Sequence, residues 1–289
     1  MHSWRDKAIY TVLVGAASTS VLIVLLIFVF LGKEALPFIN DPGISDLFHL
    51  RWIPVSFNAE LFGLLPLITG SVLVTLLATV LMIPFGVLGA IYIAEIATQG
   101  ERSFLKPFIE ILAGIPSVVI GFFGLVVLSP LIKDLFDLPT GLTAITGAVL
   151  LALMAIPTVI TVSEDAIQSV PRSYREASLA LGANRLQTIF RIIVPAALPG
   201  ITAAIMLGMG RVIGETMAVL MVTGNAAKLT LNPFSSVRTM TATIAAEMGE
   251  VAFGSHHYQA LFWVGIVLLI MTFGLNVIAQ KVLRKYQMR

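Results

Sequence analysis

The sequence predicts an all-α integral membrane protein with six transmembrane helices, and three observations carry that expectation. Hydrophobic residues make up 57% of the 289-residue chain and charged residues only 12%, roughly half the charge of an average soluble domain. Mean hydropathy is +0.96. The apolar residues also gather into six runs, each long enough for the roughly 20 residues that cross a hydrocarbon core.

In order, the runs cover residues 9–31, 66–94, 111–133, 142–162, 200–223 and 260–282. The first follows Arg5 and Lys7 as a signal sequence would. It exceeds the roughly 7 to 15 residues of a signal core and is followed by no small-residue cleavage site, so a retained anchor is expected. The apolar runs are the organising units, which makes 1–289 a single integral domain. The chain contains no cysteine, excluding disulfides, thiolate metal sites and a thiol nucleophile. A net charge of +2 is too small to suggest nucleic acid. Its distribution is more informative. With the N-terminus inside, the inner segments hold Arg5, Lys7, Arg102, Lys106, Arg172, Arg175, Arg185, Arg191, Lys281, Arg284, Lys285 and Arg289, twelve basic residues. The outer segments hold five: Lys33, Arg51, Lys133, Lys228 and Arg238. This bias places both termini in the cytoplasm, and with them the polar segment 164–199.

That segment has its own punctuation. Ser173 with Glu176 three residues on reads as a capping box that starts a helix near Tyr174. Gly182 falls where a left-handed C-terminal cap belongs, and Asn184 with Gln187 supplies a second start signal. In the second helix Leu186, Ile189, Phe190, Ile193 and Val194 recur at helical spacing, an apolar face with Arg185 and Arg191 left wet. Ala177, Ser178, Ala180, Gly182 and Ala183 are small, which suits a surface that inserts into a partner's groove.

Two ionisable residues lie inside the fifth run. Arg211 and Glu215 are four apart, so a continuous helix puts them on one face, where they can pair. A charged residue in a span usually faces a bundle interior or a water-filled path. Two readings are open: a structural ion pair pinning helices, or an arginine facing the path of an anion, with Glu215 tuning its orientation. A guanidinium offers forked donors that match phosphate oxygens. Gly208, Gly210 and Gly214 suit close helix packing, since no strand or P-loop lysine accompanies them. Pro84, Pro116 and Pro157 free the carbonyls of Val80, Leu112 and Leu153. The break at 113–117 either lines a pathway or is a packing kink. Ser117, in that break, and Thr216, beside Glu215, complete the candidate pathway set.

Other features point less far. His256 and His257 adjoin in sequence and diverge on a helix, so no metal site is expected of them and the nearby Glu247 and Glu250. Glu95 and Glu110 fall at cytoplasmic span ends, where carboxylates are ordinarily solvated. Residues 239–251 read as a short amphipathic outer helix that serves packing. No Ser, His and Asp arrangement, paired carboxylates or nucleotide loop stands out, so no catalysis is expected.

With these residues in hand, the chain resembles the permease subunits of ATP-binding-cassette importers. Their cytoplasmic signature runs Glu-Ala-Ala, three residues, Gly, nine residues, Ile, one residue, Leu-Pro. This sequence has Glu176-Ala177-Ser178, Gly182, Ile192 and Val194-Pro195 at the same spacing, with Ser and Val as mild departures. Residues 113–124 and 211–219 are similar to the phosphate-specific permeases, and Glu215-Thr216-Met217-Ala218-Val219 is nearer their C-type subunit than the A-type. The resemblance covers most of the chain from the second run onward and little of the first run or of 32–65.

The resemblance implies the type I importer (MetI-like) fold, with a peripheral first helix, 9–31, and core helices within 66–283. It implies that 164–199 is a coupling segment, with Glu176, Ala177, Ser178, Gly182, Ala183 and Asn184 meeting the ATPase. The implied partners are a second permease of A type, a dimeric ATPase inside and a phosphate-binding protein outside, in a bacterial or archaeal plasma membrane. ATP and magnesium belong to the ATPase, and this chain carries no cofactor. The implied function is phosphate import by alternating access. The alternatives are an ABC permease for another oxyanion, such as molybdate or sulfate, a secondary anion carrier that would leave the cytoplasmic segment idle, or a membrane sensor or scaffold that does not transport.

Overall fold

A computed structural model describes residues 4–56 and 60–287 of the chain. It is helical apart from one two-stranded hairpin, and six helical stretches are long and apolar enough to span a membrane. Of the basic residues counted at the two ends, Arg289 lies outside the described residues.

The first helix, α1 (Trp4–Ala35), is exposed along its apolar length and leans mainly on the last helix, α12 (His256–Gln287). Phe30 meets Phe262 edge to face at 5.6 Å, and Trp263 Nε1 donates to the Ala35 carbonyl at 2.9 Å. The outer segment that follows folds over the bundle end as strands β1 (Trp52–Ile53) and β2 (Leu61–Phe62), paired antiparallel with Trp52 opposite Phe62. Phe38, Trp52, Phe62, Leu67, Met240 and Leu261 form its core. The short helix α11 (Met240–Glu247) contributes Met240 to that core, so the predicted outer helix serves packing.

Three helices form the centre: α2 (Leu65–Ile91), α6 (Ala144–Gln168) and α9 (Val194–Gly214). Their contact is made by missing side chains. A Cβ on Gly86 of α2 would stand 2.6 Å from Val159 of α6, and one on Gly208 of α9 would stand 2.8 Å from the same valine. Val159 therefore fills a notch cut by two glycines on opposite sides, the close approach that van der Waals packing requires where lipid is as apolar as the side chains. Pro84 and Pro157 lie within unbroken helices, so neither ends a span.

Two boundaries differ from the sequence reading. The third span begins at Ser117, not 111, because residues 99–114 form a separate amphipathic helix, α3 (Gln99–Gly114). A capping box starts it: Thr98 N donates to Glu101 Oε2 at 2.7 Å, and Glu101 N donates to Thr98 Oγ1 at 3.4 Å. The Thr98 backbone amide, then its hydroxyl, holds the Glu101 carboxyl below its ordinary value, so this cap is complete at neutral pH and is lost as pH falls through the lowered value. The span itself is α4 (Ser117–Phe123), a π turn over 124–128 and α5 (Ser129–Leu135).

The fifth span runs over Arg185–Gly214, not 200–223. It enters from α8 (Arg185–Thr188) through a π turn over 189–193, and the helix passes through both Pro195, in the first turn of α9, and Pro199. The π turn at 124–128 precedes Pro130 in the same way. At its outer end α9 stops at Gly214, Glu215 is extended, and a new helix, α10 (Met217–Val222), begins.

The notch yields a stability test. Gly86→Leu or Gly208→Leu forces Val159 aside and lowers stability by about 1–3 kcal/mol. A lower thermal unfolding midpoint of the detergent-purified protein, with Gly210→Ala unchanged, is the expected result, since nothing lies within 4 Å of a Cβ at Gly210.

Candidate functional site

The two sets of residues singled out in the sequence lie at different levels of the bundle. Arg211 stands in the last turn of α9 and is partly exposed. Its guanidinium donates to Thr158 Oγ1 on α6 at 3.3 Å. It does not pair with Glu215. Because the helix ends between them, the four-residue spacing no longer places the two on one face. Glu215 serves instead as the cap of α10: its Oε1 accepts from the backbone amides of Thr216 at 3.2 Å and Ala218 at 3.4 Å. Its carbonyl accepts from Thr241 Oγ1 at 2.8 Å, tying the break to α11.

Among the described residues Arg211 thus has one side-chain partner, a neutral hydroxyl, and no counter-ion. The surface beside it is bare, for Gly210 and Gly214 have nothing within 4 Å of a would-be Cβ. Gly208 alone of the three packs against another helix as expected. Thr216 is partly exposed, its hydroxyl donating to the Gly214 carbonyl at 3.3 Å. Ser117, also partly exposed, opens α4 after the extended Ile115–Pro116 break, and α4 packs on α10 where Gly121 meets Ala218. The residues predicted for a pathway therefore lie on two adjoining helix breaks, 115–116 and 215–216. One wall of that surface is unneutralised cation, which attracts an anion.

In the polar segment 164–199, α7 (Arg172–Ala180) ends in a left-handed turn with Gly182 at φ +85°, and Ala183 N reaches back to the Ser178 carbonyl at 3.2 Å. Asn184 and Gln187 form the second capping box as expected, with Asn184 Oδ1 accepting from Gln187 N at 2.8 Å. Ser178 and Thr188 bridge the two helices through their hydroxyls at 2.9 Å. Ile189 and Ile193 are buried, whereas Leu186 and Phe190, expected beside them, are exposed.

The first capping box is corrected. Helix α7 starts at Arg172 after Pro171, and no side chain caps it. Pro171 fixes the entry, so Ser173 falls inside the first turn, where its hydroxyl no longer reaches an N3 amide. Glu176 is exposed and has no hydrogen bond or ion pair within the described residues. Its carboxylate is free for a partner. Beside it the turn displays Leu179, Leu181 and Leu186, with Leu181 89% exposed.

What the sequence did not single out is the anchoring of this segment. Arg175 forms a forked pair with Glu95 at the inner end of the second span, and its remaining donors reach the carbonyls of Val170 at 3.0 Å and Ile167 at 3.3 Å. Arg185 also reaches the Glu95 carbonyl. One turn away, Glu164 of α6 is 2% exposed and takes Arg102 at 2.6 Å, Lys106 at 2.9 Å and the Gln168 amide. Glu95 was read as solvated; it is a structural acid. The histidines divide, His257 to Glu247 at 2.8 Å and His256 toward Asp41 at 3.6 Å. Among the described residues no group of three or more His, Asp or Glu could hold a metal ion.

Comparison with known proteins gives a consistent result. The family model described as a binding-protein-dependent transport system inner membrane component matches residues 86–286. A probable ABC transporter permease protein, YqgH, of Bacillus subtilis is 42% identical over 248 residues, spanning 85% of this chain and 80% of that one. The phosphate transport system permease protein PstC of Mesorhizobium japonicum is 32% identical over 266 residues, with 86% and 80% covered. In fold, the chain is similar to a subunit of a bacterial alginate ABC transporter (TM-score 0.67, 16% identity, 97% and 95% covered). It is also similar to a subunit of the MetNI methionine ABC transporter (TM-score 0.58, 19% identity, 78% and 94% covered).

Two predictions follow from this geometry. Glu215→Gln keeps an acceptor for the α10 amides and should leave the thermal midpoint nearly unchanged, whereas Glu215→Ala should cost about 1 kcal/mol. Glu176→Gln should likewise be within about 0.5 kcal/mol of the parent, since it loses no internal bond. Gly182→Val, forced into a left-handed conformation, should cost about 1–2 kcal/mol in the same unfolding assay.

Proposed function

This chain belongs to the family of binding-protein-dependent transport system inner membrane components, and on that premise we propose that it carries inorganic phosphate. Membership makes it the non-catalytic permease subunit of an ABC importer, a multi-pass inner membrane protein that works with an ATPase and a substrate-binding protein. The observation that carries the cargo reading is Arg211. A guanidinium in a spanning helix is costly unless it is paired or hydrated, and Arg211, in the last turn of α9, is met only by a threonine hydroxyl. A mobile oxyanion is the counter-ion that completes it. The relatives of C type named for phosphate transport support the choice of phosphate.

Transport then proceeds by alternating access. ATP with its magnesium binds to the ATPase pair, and this chain holds neither. The ATPase grips the turn at Glu176, Ala177, Ser178, Gly182, Ala183 and Asn184. A second permease of A type closes the open side of the surface formed by Arg211, Thr216 and Ser117, and a phosphate-binding protein delivers cargo at the outer face. Glu215 acts by fixing the helix break that presents Arg211, not by pairing with it. Both termini lie in the cytoplasm, an orientation supported by the basic bias of the inner segments and by an even number of spans.

The test is uptake by the complete complex in proteoliposomes. Arg211→Gln should lower phosphate uptake at least about tenfold, a loss of about 1.4 kcal/mol or more in the transport step, with basal ATP hydrolysis retained. Arg211→Lys should keep part of the uptake. Unchanged uptake in Arg211→Gln, or molybdate or sulfate outcompeting phosphate in the parent complex, sinks this reading.

A further inference from the structure

The anchoring of the cytoplasmic segment leads to a residue assignment. Arg175 lies on α7, one residue before Glu176, and its side chain is 25% exposed while that of Glu95 is 11% exposed. Its donors are divided among three places: the carboxylate of Glu95 on the second span, the Val170 carbonyl and the Ile167 carbonyl. Ile167 lies in the last turn of α6 and Val170 in the turn just beyond it, so Arg175 grips the end of that helix. A planar guanidinium fork fits this arrangement, and an ammonium cannot reproduce it. Arg175 therefore clamps α7 to two spans at once.

One of those spans reaches Arg211. Helix α6 continues unbroken through Pro157 and carries Thr158, the side-chain partner of Arg211, about 14 Å along its axis from Ile167. Its middle is wedged between Gly86 and Gly208, so a displacement at its end is passed on to close-packed neighbours. Glu164 adds a second tie on the same stretch through Arg102 and Lys106.

We propose that Arg175, held by Glu95, is the positioning residue that makes α7 and α6 move as one body, so that motion of the coupling turn reaches Arg211 through Thr158. The link from α6 to Arg211 rests on the pathway reading above; the rigid union of α7 and α6 does not. Arg175 touches no cargo and acts only through the helices that it joins.

The chain has no cysteine, so spin labels can be placed without background. Ser173→Cys on α7 and Leu153→Cys on α6 are both at exposed positions, and residues 153 to 168 alone span about 22 Å. In the assembled complex the distance between these labels should be the same before and after ATP with vanadate. Adding Arg175→Ala should shift or broaden it on ATP with vanadate, and Arg175→Lys should fall between. In transport, Arg175→Ala should lower phosphate imported per ATP hydrolysed by about tenfold, within the range of ordinary coupling energies, while the ATPase still co-purifies. A distance that changes in the parent, or stays fixed in Arg175→Ala, overturns the proposal. So does loss of ATPase co-purification in that variant, which would make Arg175 a docking residue. A parent complex that imports no phosphate overturns the cargo reading alone, because the spin-label distance is read without cargo.

Discussion

The rest of this structure depends on how Val159 is held. One methyl-bearing side chain at the middle of α6 occupies the space that two glycines leave vacant on either flank, and this brings three long helices to close range. Hydrophobic burial offers no advantage over lipid here, so intimate packing must supply the cohesion. Several of the polar contacts described above attach to α6. Thr158 stands next to the wedge, Glu164 lies five residues on, and the end of the helix supplies the carbonyls that Arg175 takes.

Charge is arranged around this centre in a consistent way. At one end of the bundle Glu95 and Glu164 are each met by arginine. At the other end Glu247 gathers Arg238 at 2.7 Å, His257 at 2.8 Å and the Trp52 indole. These partly buried acids are satisfied because an unpaired buried charge is costly. Arg211 departs from the pattern. Its carboxylate neighbour in sequence has been turned to the amides of another helix, which leaves Arg211 without the acid that its spacing suggested.

Much of the fold was legible in the sequence because long apolar runs report directly on the thickness of a bilayer. The positive φ at Gly182 and the Asn184 cap were legible too, as both depend on neighbours within four residues. The misreadings have physical causes. The fifth span starts before 200 because the helix runs on through the polar residues from Arg185 by way of a π turn, which apolar run length does not report. The break at 215 runs the other way: Gly214 permits it, and a carboxylate that caps the following helix stabilises it, which periodicity alone does not show. The start of α3 did have a signal, Thr98 followed three residues later by Glu101. The ties from Glu95 to Arg175 and from Glu164 to Arg102 join residues about 60 to 80 apart and left no local trace.

The exposed guanidinium also bears on the life of the molecule before it transports anything. A solitary copy in the bilayer presents a cation on a side that nothing yet covers, along with bare glycine surface. A cation met only by a hydroxyl is costly to hold against lipid, so whatever faces Arg211 also bears on how well a lone copy of this chain sits in a bilayer.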